Sequence, residues 1–84
     1  MQLIAHYSVN DYPAFKASFD ADAEDRGANG LSLLQLWKEN NGSAWALFSV
    51  TNAKAARAYL DGAAAVFNSQ AGVSAFSHHF VETA

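Results

Sequence analysis

The sequence predicts an α+β fold, a single domain over residues 1–84 in which helices cover one side of a four-stranded antiparallel sheet. Three observations lead to this prediction. An Asn-Gly pair lies between two apolar runs within residues 31–50, which indicates a β-hairpin. Apolar residues recur at helical spacing before and after that hairpin. Both ends of the chain alternate between apolar and polar residues, as half-buried strands do.

The first element is a strand over residues 2–9. Its side chains alternate strictly, so one side carries a continuous apolar stripe. The stripe consists of Leu3, Ala5, Tyr7 and Val9. The opposite side carries Gln2, Ile4, His6 and Ser8.

A first helix is expected from about Tyr12 to Arg26. Asp11 is a suitable N-cap, and Pro13 is tolerated in a first turn because its missing N–H has no helical partner there. Gly27 and Gly30 can end the helix in left-handed backbone conformations. Apolar residues recur every three or four positions, which places them on one inner face of the helix. These residues are Tyr12, Phe15, Phe19 and Ala23.

The hairpin is expected to turn at residues 40–43 as a type I′ turn, with positive φ at both central residues. This register places Lys38 opposite Trp45, in cation–π reach, and Trp37 opposite Ala46. Both faces of the hairpin are then apolar and both need a cover. One face carries Leu33, Trp37, Phe48 and Val50, and the other carries Leu34, Leu36, Trp45 and Leu47.

A second helix is expected over residues 53–60, capped by Asn52, with Ala56, Tyr59 and Leu60 facing inward. Asp61-Gly62 predicts a bend, after which the helix resumes over residues 63–70 and ends at Ala71-Gly72. A last strand is expected over residues 73–82. Its alternation places three aromatic rings on one side, those of Phe76, His78 and Phe80.

The resulting order, β-α-β-β-α-β, is the ferredoxin-like pattern. Both crossovers are right-handed, so both helices cover the same face of the sheet. The second face then remains bare and apolar, which is unusual for a monomer. A second copy packed sheet face to sheet face would cover it, so we expect a homodimer. The pattern leaves open which hairpin face meets the helices.

Composition excludes several classes of function. The formal net charge is −3 and the five basic residues are scattered, which disfavours a nucleic-acid surface. Cysteine is absent, so neither a disulfide framework nor a thiol nucleophile exists. No apolar run reaches membrane-spanning length, and no signal peptide is evident at the N-terminus. We therefore expect a cytoplasmic protein without a membrane partner.

Three segments carry a family resemblance: His6 followed by Asp11-Tyr12-Pro13-Ala14-Phe15, then residues 56–60 (ARAYL), then residues 70–73 (QAGV). Together they resemble small dimeric α/β-barrel proteins related to antibiotic-biosynthesis monooxygenases. The resemblance implies a homodimer with a pocket between sheet and helices. The wider superfamily includes cofactor-free monooxygenases, haem-degrading enzymes, muconolactone-type isomerases and stress proteins. The residue set of the haem-degrading members has no match here, so we expect no cofactor.

Three histidines are the candidate acid–base groups. His6 lies on the first strand, and the first and last strands are antiparallel neighbours in this topology. Adjacent His78 and His79 point to opposite faces, so at most one of them joins His6. Such a pair can act as general base and acid, or supply two of the ligands that a metal site needs. Alternatively, all three are partly exposed strand residues, and we expect no metal.

Aromatic residues suggest a cavity for a small apolar or aromatic molecule. Its candidate lining consists of Phe15, Phe19, Trp37 and Phe48, with the Tyr59 phenol above the sheet. The alternative is that these rings fill the core. An acidic run, residues 20–25, is best interpreted as a solvated helix face, in which Asp22 and Arg26 form an i,i+4 pair.

Two functions therefore remain open. One is a small-molecule pocket with cofactor-free monooxygenase- or isomerase-like chemistry, in which His6, Tyr59 and His78 are catalytic. The other is a non-catalytic binding or stress-related structural homodimer. No phosphate-binding loop, dinucleotide motif or nucleophile elbow favours a further class of enzyme.

Overall fold

The predicted fold class is confirmed. A computed structural model describes residues 1–84. The elements are β1 (Gln2–Val9), α1 (Tyr12–Ala21), α2 (Ala23–Ala28), β2 (Leu31–Asn40), β3 (Ser43–Val50), α3 (Ala53–Asp61), α4 (Ala63–Gln70) and β4 (Val73–Val81). The sheet is antiparallel in the order β2-β3-β1-β4, as in ferredoxin-like folds. None of the helices is long and apolar enough to cross a membrane.

The two inner strands bury one face under the helices. Every second residue of β1 is buried, from Leu3 to Val9, as the alternation predicts. Across the sheet, Ala5 lies opposite Ala46 and Leu3 opposite Phe48. Small alanine side chains on both strands leave volume above the sheet, and the aromatic rings of α1 occupy it.

Aromatic rings fill the space between the sheet and the helices. Phe15 and Phe19 of α1 are fully buried, and their ring centroids are 5.5 Å apart. The Tyr7 ring lies 5.0 Å from Phe15, and the Phe48 ring lies 6.3 Å from Phe19. Phe67 of α4 closes the group at 6.4 Å from both α1 rings. Each such pair adds about 0.5–1.5 kcal/mol beyond the burial of its surface.

Both helical segments are interrupted. The predicted bend at Gly62 is confirmed, and Asn52 caps α3 through its side chain, which accepts a hydrogen bond from the Ala55 backbone N–H at 3.0 Å. The prediction of one continuous helix up to Arg26 is wrong. Asp22 takes φ −88° and ψ 2°, outside helical geometry, and α2 begins after it. Gly27 lies inside α2. After the helix, Gly30 takes the left-handed backbone conformation, at φ 84°.

The hairpin register differs from the prediction. Trp37 pairs with Trp45, and Lys38 pairs with Ala44, because the register shifts between Lys38 and Asn40; a second shift follows between Leu33 and Gln35. Neither Asn41 nor any other non-glycine residue takes a positive φ, and Gly42 does not either, so the turn is not of type I′. Instead, the Gly42 N–H donates to the Asn40 side chain at 2.8 Å.

These shifts sort the hairpin side chains differently. Trp37 shares a face with Trp45, away from the helices, whereas Leu36 packs against the core. Lys38 lies on the helix side, where its Nζ is 5.0 Å from the Tyr12 ring centroid, so the expected contact with Trp45 is absent.

No element of the chain covers the second face of the sheet, which we call the open face. Its centre is apolar, and Trp37 and Trp45 are 48% and 38% exposed. The register assigns to it Gln2, Ile4, His6 and Ser8 of β1, Ser43, Trp45, Leu47 and Ser49 of β3, Ser32, Gln35, Trp37 and Glu39 of β2, and Ala75, Ser77, His79 and Val81 of β4.

Gly30→Ala is expected to lower the free energy of unfolding by about 2 kcal/mol or more. Left-handed backbone is costly for alanine, and a Cβ at residue 30 would lie 2.7 Å from the Asn52 carbonyl oxygen. Gly27→Ala is the control, because a Cβ there meets nothing within 4 Å. Alanine favours a helix over glycine, so this change is expected to raise the free energy of unfolding by up to about 1 kcal/mol. Urea denaturation measures both; equal effects would contradict the assigned roles.

Candidate functional site

A buried ion pair lies where α1 meets α2. Arg26 is only 3% exposed, and its Nη1 donates to the Phe19 carbonyl oxygen at 2.7 Å. The same nitrogen is 3.6 Å from Asp22 Oδ2, and the guanidinium carbon is 3.8 Å from the Phe19 ring centroid. A buried guanidinium needs such a carboxylate, because an unpaired charge is very costly away from water.

Two tyrosines complete this group. The Tyr59 hydroxyl donates to Asp22 Oδ2 at 2.6 Å, and burial together with this hydrogen bond raises the pKa of Tyr59 above its usual range. Burial also raises the pKa of Tyr7, although the charge of Arg26 opposes the shift. Both phenols are therefore neutral at physiological pH. We call Tyr7, Asp22, Arg26 and Tyr59 the buried polar cluster.

A cavity of about 10 Å³ borders this cluster, which is room for about one water molecule. Tyr7, Arg26, Tyr59 and Asn68 supply its polar groups, and the rest of the wall is apolar. Within the protein, the buried Asn68 Oδ1 has no hydrogen-bond partner. The cavity wall thus contains a polar atom that a bound molecule would satisfy.

Phe67 lines both the cavity and a wider groove at the surface. That groove has a volume of about 240 Å³ and lies between α1 and α4. Its other lining residues are Ser18, Ala21, Asp22 and Gln70.

A second polar group lies on the open face. His6 Nε2 and Ser43 Oγ are 2.6 Å apart, and the His6 and Trp45 ring centroids are 4.3 Å apart. Glu39 Oε1 accepts from Ser43 Oγ at 3.0 Å and from Trp45 Nε1 at 2.6 Å. These two hydrogen bonds hold the pKa of the Glu39 carboxyl below its usual value. We call His6, Glu39, Ser43 and Trp45 the His6 cluster.

The His6 cluster is not arranged as a catalytic triad. A serine beside an imidazole is the contact of a nucleophile with its base, but in a triad the carboxylate orients the imidazole. Here the carboxylate of Glu39 accepts from Ser43 instead. No group of three or more His, Asp or Glu side chains is placed to hold a metal ion either.

The structure does not bring the three predicted catalytic residues together. His6 lies on the open face, whereas Tyr59 and His78 lie on the helix side. The His78 ring stands 5.4 Å from Phe76 and 6.3 Å from Phe80, and its Nδ1 is buried without a hydrogen-bond partner. Among the other histidines, only His79 shares the face of His6.

The four predicted ligand-binding residues are also divided. Phe15, Phe19 and Phe48 are at most 1% exposed and pack into the core. Trp37 lies on the open face, so the structure does not place it with these three rings. The physical reason is the register shift between Lys38 and Asn40, which pairs Trp37 with Trp45 and turns it away from the helices.

Sequence analysis missed the burial of Arg26. The Asp22–Arg26 pair was predicted, but on a solvated face. The available signal was the continuation of the apolar spacing: Phe15, Phe19, Asp22 and Arg26 follow each other at steps of four, three and four, which places the pair on the inner face. Ser43 and Glu39 were missed because only the three-dimensional register brings them to His6.

Comparison with known proteins adds information on the fold alone. The structured domain of Boca from Drosophila melanogaster is similar to this chain, with a TM-score of 0.57 and 15% sequence identity over 98% of this chain and 100% of that one. No protein-family model and no curated protein matches the chain. The resemblance to the monooxygenase-related group therefore stays a prediction.

Tyr59→Phe is expected to lower the free energy of unfolding by about 1–3 kcal/mol. The change removes the hydrogen bond to Asp22, whose side chain is 19% exposed, and leaves its carboxylate with Arg26 at 3.6 Å. Tyr12→Phe is the control, because Tyr12 lies outside the buried polar cluster, and we expect a change within about 0.5 kcal/mol. Urea denaturation with equal losses for both variants would contradict the structural role of the Tyr59 hydroxyl.

Proposed function

We propose that the chain acts as a non-catalytic homodimer in which the open faces of two copies pack against each other. One observation carries the proposal: the centre of the open face is apolar, with Ile4, Leu47 and the two tryptophans on neighbouring strands. Contiguous apolar patches of this kind mark interaction surfaces in proteins that are otherwise soluble.

The size of the open face fits a second copy. Four strands spaced about 4.8 Å apart and about eight residues long give a face of roughly 500 Å² per copy. Two such faces in contact bury a flat area of about 1,000 Å² in total, and side chains that protrude from the sheet add to it. This is near the lower bound of about 1,200 Å² for stable interfaces. A copy of the same sheet matches this flat outline by symmetry.

The charge of the open face also permits self-association. Its only formally charged side chain is Glu39, next to the hairpin turn and so at the rim. Lys38 points to the helix side. The net charge of −3 therefore resides mostly on other surfaces, and two open faces meet without strong repulsion.

Sedimentation equilibrium tests the homodimer. Wild-type protein is expected at twice the chain mass of 9.0 kDa. Leu47→Glu is expected to give a monomer, because it places a charge in the interface opposite Ile4. Val66→Glu is the matched control: it charges an apolar side chain on α4 that is 59% exposed and lies on the other side of the molecule, and it should stay dimeric.

Circular dichroism separates loss of assembly from loss of folding in these variants. Trp37→Glu provides a second interface variant at a more exposed position, where folding depends less on the side chain. A wild-type monomer, or a dimer that both interface variants preserve, would contradict the proposed homodimer.

A second candidate function is the binding of a small aromatic molecule at the cavity behind Phe67. The observation that favours it is the unsatisfied Asn68 Oδ1 in the cavity wall, which the Tyr7 phenol and the guanidinium of Arg26 also line. A neutral phenol or aryl ketone suits them, since the positive charge of Arg26 disfavours a cation. Phe67 has to move, because the closed cavity holds about one water molecule.

Cofactor-free isomerase- or monooxygenase-like chemistry on such a molecule would need a proton acceptor. Asp22 is the candidate acceptor, because it accepts a hydrogen bond from the hydroxyl of Tyr59, which lines the cavity. His78 has a buried, unpartnered Nδ1 but does not line this cavity. His6 has no part in this chemistry, because it lies across the sheet.

Phe67→Ala is expected to strengthen binding of phenol by 10-fold or more, because it opens the cavity to the surface groove. Chemical shifts in two-dimensional ¹H–¹⁵N spectra measure the affinity. Adding Tyr7→Phe should weaken the binding of phenol but not of benzene, which has no hydroxyl group. The absence of saturable shifts in Phe67→Ala would exclude the pocket.

A further inference from the structure

His6 lies on an inner strand of the open face, between the apolar centre at Ile4 and the hairpin turn. β1 and β3 are the inner strands, and His6 pairs with Trp45 on β3 and with Ser77 on β4. The imidazole is half-buried already in the single chain, with one face against the Trp45 ring at 4.3 Å. A second copy on the open face would remove much of the remaining water around it.

We infer that protonation of His6 weakens the homodimer, so that assembly is controlled by pH. The inference depends on the proposed homodimer and adds a regulatory step to it. A neutral imidazole needs no hydration of a charge in a dry interface. Its Nε2–H donates to Ser43 Oγ at 2.6 Å, because the Ser43 proton goes to Glu39, and this hydrogen bond is the same in both protonation states. An imidazolium would lose its hydration there, and a two-fold interface centred on these strands brings the two copies of His6 near each other.

Charged and titratable groups around His6 are few. β3 contributes none, and β2 contributes Glu39, which reaches His6 only through Ser43 and Trp45. β4 contributes His79, which lies opposite Ile4, one diagonal step from His6. His79 is exposed and belongs to an edge strand, so its ring can stay hydrated in the dimer.

The sign of the effect follows from these surroundings. Glu39 attracts an imidazolium in the single chain as in the dimer, and because its carboxylate is exposed at the rim of the open face, this attraction changes less on assembly than the hydration of the ring does. Removal of water acts only in the dimer and disfavours the charged ring. The dimer therefore holds fewer protons than two separate chains, and its dissociation constant rises as the pH falls through the range in which imidazoles titrate.

Sedimentation velocity at pH 8.0 and pH 5.5 tests the inference. The wild-type dissociation constant is expected to rise at least 10-fold between these values. Because dissociation takes up at most two protons, one for each copy of His6, the constant can rise by at most about 100-fold per pH unit. His6→Gln keeps a hydrogen-bonding side chain without the charge, and its constant should change by less than about 3-fold. His78→Gln, on the helix side of the same sheet, is the matched control and should respond like wild type.

His6→Lys supplies a fixed charge at pH 8.0, where no other part of the chain is acidified. It is expected to be a folded monomer by circular dichroism, so the test does not depend on stability at low pH. A wild-type dimer of equal affinity at both pH values, or a dimeric His6→Lys protein, would overturn the inference and leave the homodimer standing. A response that disappears in His79→Gln but persists in His6→Gln would overturn the assignment to His6. A wild-type monomer at pH 8.0 would overturn the homodimer itself.

Discussion

The two inner strands, β1 and β3, carry apolar side chains on both faces, and the rest of the structure depends on how each face is covered. Towards the helices, alanines on both strands leave room for the rings of Phe15 and Phe19. Because small side chains on the sheet lie under large rings on the helices, two short helical segments are enough to bury the core of a chain of only 84 residues. On the other face the chain offers no such cover.

The interruption at Asp22 shows how the helix side accommodates a charge. α1 ends there, and the guanidinium carbon of Arg26 in α2 lies 3.8 Å from the centroid of the Phe19 ring in α1. Asp22 then serves two partners, the guanidinium and the Tyr59 hydroxyl, and so joins α1, α2 and α3. Burying a charged pair costs desolvation, so such a pair specifies the positions of its neighbours more than it adds stability.

The sequence predicts most of the fold, because periodicity depends on burial and burial is local along a strand or helix. The strand alternation at Leu3 to Val9 and the cap at Asn52 are confirmed on that basis. The predicted hairpin register is wrong, because the shift between Lys38 and Asn40 has no local sequence signal and moves Trp37 to the opposite face. Neither polar cluster was predicted, since Ser43 and His6 lie 37 residues apart and meet only through the sheet register.

A face that is apolar at its centre and nearly uncharged at its rim is the feature that links fold to proposed function. Isotope-filtered NOE spectroscopy on a mixture of labelled and unlabelled chains tests it most directly, because it detects only contacts between copies. The homodimer predicts NOEs between copies from Ile4, Trp45 and Leu47, and none from Phe15 or Phe19 in the core. A spectrum without such NOEs, together with the rotational correlation time of a 9.0 kDa particle, would contradict the proposed homodimer.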